Sequence, residues 1–410
     1  MKKIVITGMG AITPVGIGVN AYWKNLIGGV CGVKPITRFD TSDYPVKVAA
    51  EIRDFDPEAF MSRHLARNSA LFSQYAYAAA EEALRQSGLD CGAEPGRIGI
   101  TMGTALNGIV ETTGTQAEMT ATGKTKVSPR FVPKILGNIA AAQIAIEKKL
   151  TGPCMTVSTA CASGGDAIKL GNMLLQSGEA DAIIAVGADS SICPLVTSSL
   201  TMARALSRSS CTAASRPFDL HRDGFVMGEG GGALILETEE HALARGAEIL
   251  GVLLSAASNT DGYHVTSPAP DGHGAKACMA QALEMAGLAP ADIGYINAHG
   301  TGTIAGDTIE AMAIRDVFGD TVPYVSSTKG ATGHMMGAGG ITEVIACLLA
   351  CREGIIPATL NLEEPDPYCS GVPIVANEAI RTPVKAAMSN AFGFGGQNSS
   401  VIVAAPDFMP

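Results

Sequence analysis

Residues 155–165 read MTVSTACASGG, a β-branched strand run, a Ser/Thr turn and a Gly-rich helix start, and residues 323–334, PYVSSTKGATGH, repeat that order. Such a recurrence predicts one α/β unit used twice, with a boundary near residue 250. The rest of the chain agrees with a layered α/β protein. KIVIT near residue 3, IGITMG near 98, DAIIAVG near 181, GALILE near 232, GYINAHG near 294 and SSVIVAA near 399 read as strands. Residues 69–87 and 275–286 carry apolar side chains at helical spacing, and each run is followed by Gly.

The 410 residues are 47% hydrophobic and only 17% charged, which excludes disorder and leaves a sizeable core to bury. A formal charge of -10 argues against nucleic acid, whose phosphates demand a clustered basic surface. No run approaches the length of a membrane span, and MKKIVITGMG enters a strand rather than a signal-peptide core. A cytoplasmic protein without membrane insertion is expected. Ten cysteines are scattered without a C-x-x-C pair or zinc spacing, so neither a disulfide scaffold nor structural zinc is expected.

Two cofactor signals fail on inspection. Gly8-Met9-Gly10-Ala11-Ile12-Thr13 lacks the third glycine of a dinucleotide fingerprint, and Pro14 stands where its helix should begin. Gly123-Lys124-Thr125 has Glu118 in place of the first glycine of a phosphate loop and reads as a solvated loop. Cys161 is different from the other thiols: it follows a strand and precedes a helix of small residues, where free N–H groups and the helix dipole favour thiolate. A free thiol near pKa ~8.5 is only slightly ionised at neutral pH, so such help matters.

His299 lies in Asn297-Ala298-His299-Gly300-Thr301-Gly302-Thr303, a glycine-flanked loop at a strand end that is poorly placed for filling a core. His334 lies in a second glycine-rich segment, five residues after Lys329 and nine before Glu343. Phe394, in Gly393-Phe394-Gly395-Gly396, has neighbours that expose backbone N–H groups to a ligand and leave its ring free to swing.

Together these segments, with VITGMGAITPVG at the start and SRPFDLHRDGFVMGEGGG at 215–232, resemble the β-ketoacyl-acyl carrier protein synthases, most closely the synthase II type. One Cys and two His in this order separate the chain from thiolases and from synthase III enzymes. The resemblance implies the α/β thiolase fold, with two halves (1–250 bearing the Cys and 251–410 bearing the His residues) packed as five αβαβα layers in a homodimer. It implies decarboxylative Claisen condensation of an acyl group on Cys161 with malonyl-acyl carrier protein, as in fatty-acid elongation.

By the same resemblance His299 and His334 would hold the malonyl thioester carbonyl, Lys329 would orient His334, and Phe394 would gate the cysteine. Thr301 and Thr303 would contact phosphopantetheine, while Leu106 and Phe131 would line the acyl pocket. Asn297, Ala298, Glu343, Ser389 and Asn390 would form a structural K+ or Na+ site, and no cofactor is required. Arg63, Arg67, Lys124, Lys126 and Arg208 would dock the acidic carrier protein on an otherwise acidic enzyme. Gly330, Ile304, Gly339 and Gln397 depart from the common pattern without removing a reacting group. Gln397 keeps a type II polyketide or aryl-polyene ketosynthase as the alternative, and a non-catalytic subunit is disfavoured by the intact Cys and His set.

Overall fold

The computed structural model describes residues 2–408. Its main sheet contains β1 (Ile4–Thr13), β2 (Ile98–Gly103), β3 (Cys154–Val157), β4 (Ala182–Asp189) and β5 (Gly230–Thr238). It continues through β6 (Gly251–Thr260), β7 (Ile293–Asn297), β8 (Tyr324–Ser326), β9 (Ala386–Gly393) and β10 (Gln397–Ala404). From the centre outward the order is β1-β5-β4-β2-β3 on one side and β6-β10-β9-β7-β8 on the other. Chain order and pairing sense are the same on both sides, two antiparallel steps followed by two parallel ones. A short antiparallel ladder over Ile4–Ile6 joins β1 to β6.

The helices that matter here are α1 (Leu71–Ser87), α2 (Ile109–Thr122), α3 (Ile139–Lys148) and α4 (Ser163–Ser177). Beyond them lie α5 (Pro194–Met202), α6 (His273–Ala286), α7 (Ile304–Phe318) and α8 (Gly339–Glu353). α1 and α3 cover the outer face of the first set of strands, and α6 with α7 covers the outer face of the second. α4 and α8 touch strands of both sets, which makes them the middle of five αβαβα layers. That position explains α8, whose residues 339–351 are buried on every side, mostly apolar, because both its faces meet a sheet.

α1 ends where Gly88 takes φ +62 and donates its N–H to the Leu84 carbonyl, a left-handed cap suited to glycine. The Gly8–Gly10 run lies inside β1, where an added Cβ at either glycine would strike the backbone of α1. These glycines serve close helix–strand packing. Gly123 closes α2, and residues 123–128 continue as an exposed loop.

The axis of the molecule is a contact between helix starts. A Cβ at Gly164 would fall 2.9 Å from the Cα of Gly340, and one at Gly340 would fall 2.6 Å from the nitrogen of Gly165. α4 and α8 therefore begin backbone against backbone, and the turns that precede them are forced together.

Candidate active site

Between β3 and α4 the chain makes a tight turn over Ala160–Ala162. Ala160 is held at φ +49, and the Ser163 hydroxyl fixes the turn by accepting from the Thr159 N–H at 2.9 Å and donating to the Ala160 carbonyl at 2.6 Å. Gly393 packs against this turn, its virtual Cβ 3.0 Å from the nitrogen of Cys161. That approach brings the Phe394 N–H onto the Cys161 sulfur.

His334 reaches the same point from the other side of the axis. Its own N–H donates to the Val226 carbonyl at 2.7 Å, and its carbonyl accepts from the Gly228 N–H at 2.8 Å, so its backbone is locked. Its Nε2 lies 3.0 Å from Cys161 Sγ. The His299 ring stands nearly perpendicular to that of His334 at 5.3 Å, and Phe225 packs edge-on against the second face. One ring nitrogen of each histidine and the sulfur all lie within 4.8 Å of one another. This trio is the one His/Cys/Asp/Glu group among the described residues with a geometry able to ligate a metal, but the Lys329 charge acts on all three members and opposes a second cation there.

Glu310, on α7, was not singled out from the sequence. Its carboxylate accepts the N–H groups of His299 at 2.8 Å and Gly300 at 2.7 Å, so it carries the whole His299 loop. Burial pushes it up to about 7 against those two hydrogen bonds. Asp307, one turn earlier, accepts the N–H groups of Gly302 and Phe218, and burial pushes it up to about 6. An acidic residue on a helix of ordinary composition gives no local sign that its partners lie in a loop.

Lys329 Nζ and Glu343 Oε1 form an ion pair at 2.5 Å with both side chains almost wholly buried. Burial followed by the Lys329 charge drives His334 down to about 3, and burial, Lys329 and then His334 hold His299 well below its ordinary value. Both imidazoles are therefore neutral. The thiol departs from the expected depression: Cys161 faces a cavity, yet the protein around it desolvates the sulfur and raises it to about 11, opposed by Lys329 and the Phe394 N–H. It sits in the turn before α4 rather than in the helix, and burial outweighs the dipole.

These groups open into one cavity of about 630 Å³ that also holds Leu106, Thr301 and Thr303. Thr301 and Thr303 share a hydroxyl contact of 3.1 Å at its wall. Phe131 does not join them: it lies in the short helix Phe131–Ile135 on a second cleft of about 540 Å³ with Arg67, Lys124 and Lys126. Arg63 stays outside that cleft and pairs with Glu58, and Arg208 is exposed, its N–H bonded to Asp223 at the catalytic cavity. Arg67, Lys124 and Lys126 thus share one cleft, with Arg63 one turn before Arg67 on the helix Arg63–Asn68, while Arg208 lies by the catalytic cavity.

The supposed cation ligands are brought together in part. Asn297, at the end of β7, and Ser389, midway along β9, are register partners, and both polar side-chain atoms of Asn297 are buried without a partner. Ala298 is buried beside them, its N–H taken by the Ser326 carbonyl. Asn390 Oδ1 already accepts from Ser400 at 2.8 Å, and a Glu343 oxygen is engaged by Lys329.

Comparison with known proteins gives a consistent answer. Residues 1–242 match the family model for the beta-ketoacyl synthase N-terminal domain, and residues 250–363 that for the C-terminal domain. The 3-oxoacyl-[acyl-carrier-protein] synthase 2 of Coxiella burnetii is 39% identical over 98% of both chains. That of Synechocystis sp. is 42% identical over 97% of this chain and 96% of its own. Among solved structures, the ishigamide ketosynthase/chain length factor superposes with a TM-score of 0.93 at 34% identity, covering 98% of this chain and 99% of its own. A type II polyketide ketosynthase in complex with its acyl-carrier protein (AntDE:AntF) gives 0.89 at 30% identity, with the same coverage.

Removing one member of a buried ion pair strands the other. Lys329→Met should lower unfolding free energy by about 3–5 kcal/mol, and Lys329→Met with Glu343→Leu should regain most of it in chemical denaturation. In the double variant the His334 ring, followed by NMR, should titrate at higher pH because the neighbouring positive charge is gone.

Proposed function

This chain belongs to the β-ketoacyl synthase family, and from that premise we propose how its site carries out the reaction. It is a condensing acyltransferase of the thiolase fold that forms β-ketoacyl-acyl carrier protein in fatty-acid elongation. The observation that carries the assignment of roles is the 3.0 Å approach of His334 Nε2 to Cys161 Sγ, with His299 beside it in one cavity.

Cys161 begins as a neutral thiol. Its sulfur attacks the acyl thioester while His334 Nε2 receives the proton, which ends on the departing phosphopantetheine thiol. The oxyanion formed on the way meets the N–H groups of Cys161 and Phe394. After this transfer the sulfur carries no proton, and both imidazoles are neutral; with the His334 ring proton moved from its unpartnered Nδ1 to Nε2, both donate to the malonyl thioester carbonyl. Loss of carbon dioxide leaves an enolate on that carbonyl. Its carbon then attacks the Cys161 thioester, lengthening the chain by two carbons and expelling the sulfur as thiolate, which takes up a proton from water to return to the thiol. Burial, with the Lys329 charge adding to it, keeps both imidazoles uncharged, so the donors act by hydrogen bonding and do not titrate near neutral pH.

Thr301 and Thr303 at the cavity wall suit phosphopantetheine contacts, and the half-exposed Phe394 ring suits a gate over the sulfur. A structural K+ or Na+ beside Asn297 is supported by that side chain's unpartnered oxygen and its neighbour Ser389. The division into residues 1–250 and 251–410 is supported by the recurrent strand order. We place the enzyme in the cytoplasm with its carrier-borne substrates; among the described residues no helix is long and apolar enough to cross a membrane.

Relatives named 3-oxoacyl-[acyl-carrier-protein] synthase 2, at 39–42% identity, favour fatty-acid elongation over the polyketide or aryl-polyene alternative, for which the type II polyketide ketosynthase stands at 30%. A homodimer is supported by β3, an outermost strand with an exposed edge at Cys154 and Met155. Analytical ultracentrifugation should show two chains per particle. Carrier-protein docking is supported by the Arg67, Lys124 and Lys126 cleft, so Arg67→Glu should raise the apparent KM for carrier-bound substrates at low salt while leaving kcat near its original value. Cys161→Ala should abolish condensation yet still release carbon dioxide from malonyl-carrier protein, measured as radiolabelled gas; retained condensation overturns the assignment.

A further inference from the structure

We infer that Asp189 is a positioning residue that decides which acyl chains the cavity admits; the inference rests on the condensing-enzyme reading given above. Asp189 ends β4 and is completely buried. Its carboxylate accepts the Ala105 N–H at 2.9 Å, the Leu106 N–H at 3.0 Å, the Thr104 hydroxyl at 3.0 Å and the Gly337 N–H at 2.8 Å. None of these donors is cationic. A buried carboxylate without a counter-ion is unfavourable unless hydrogen bonds replace its water, and burial pushes this one up to about 6.

Three separate segments therefore meet at one side chain: the end of β4, the 104–106 loop after β2, and the turn Met336–Ala338 between His334 and α8. Two of them supply walls of the cavity. Leu106 and Met336 both line it, and they share an apolar cluster with Val196, Leu200, Phe225 and Cys161 itself. Nothing else about that turn is relaxed. Met336 is held at φ +51, a conformation unfavourable for a side-chain-bearing residue, and a Cβ on Gly337 would lie 2.7 Å from the Asp189 carboxylate. An outside tether is needed to keep Met336 there, and the Gly337 N–H bond to Asp189 provides it.

Asp189 thus ties together the segments that carry Leu106 and Met336, both of which line the cavity into which Cys161 opens. It makes no hydrogen bond to the sulfur or the imidazoles, and its charge, which raises the Cys161 thiol, bears equally on short and long acyl donors. Loosening it moves walls while the reacting atoms keep their own supports at Glu310, Val226 and Gly393.

The test compares acyl loading of Cys161 from butanoyl- and dodecanoyl-carrier protein by intact mass over time. Asp189→Asn turns an acceptor toward a donor at Gly337, and the dodecanoyl-to-butanoyl loading ratio should rise about tenfold. A merely structural defect would lower both rates together and leave the ratio where it was. Thr104→Ala removes one donor and keeps the charge, so it should shift the ratio less in the same direction, and it carries the test if Asp189→Asn does not fold. An unchanged ratio in the folded variants overturns the inference. Failure of the unmodified enzyme to load either acyl group overturns instead the reading on which it rests.

Discussion

Everything in this site depends on two helices that begin in direct backbone contact. Gly164 and Gly165 at the head of α4 meet Gly340 at the head of α8, and no side chain fits between them. Because each helix follows a strand of the same rank in its half of the sheet, the turns preceding them occupy equivalent places on either side of the axis. One turn presents Cys161 and the other presents His334, which is why residues 173 positions apart touch. The glycine contact is a packing constraint with a chemical result.

Burial then sets the protonation states. In water a thiol, two imidazoles and a lysine would distribute charge freely, but here the Lys329–Glu343 pair compensates opposite charges at short range, as Arg222 does for Asp307 in the wall. Desolvation keeps the remaining groups neutral, with the Lys329 ammonium adding to it at the two imidazoles and opposing it at the thiol. Three further carboxylates, Glu310, Asp307 and Asp189, are sunk in the walls with backbone N–H groups as partners. They hold loops in place. The centre keeps its reacting groups uncharged and leaves buried acidity to the supports.

Much of this was legible because reactive side chains need small neighbours and turns. Cys161 and His299 stand among Gly, Ala, Ser or Thr just after a strand, and His334 in a glycine-rich segment before a helix, local patterns that survive without structural context. The alternating strands and the helices at 69–87 and 275–286 were also legible, the first starting two residues later and the second two residues earlier than expected. β6 and β9 were not recognised, since GVLLSAASNT and AAMSNAFG mix small and polar residues and owe their strand form to sheet neighbours on both sides. Glu310 and Asp189 escaped for a related reason: their roles come from hydrogen bonds to residues 10 and more than 80 positions away. The thiol was misjudged because a helix start can be recognised in sequence while the density of protein around it cannot. Phe131 lies outside the catalytic cavity of its own chain because the short helix that carries it faces the basic cleft.

The same meeting of helix starts has an electrostatic side. Aligned peptide dipoles leave roughly half a positive elementary charge at the beginning of each helix, and here two such ends converge beneath one cavity. Negative charge arising there finds a stabilising field that belongs to the main chain and has no side chain to delete. Substitutions can strip the site of its proton carriers, but the attraction for an anionic intermediate should persist as long as the two halves remain folded against each other.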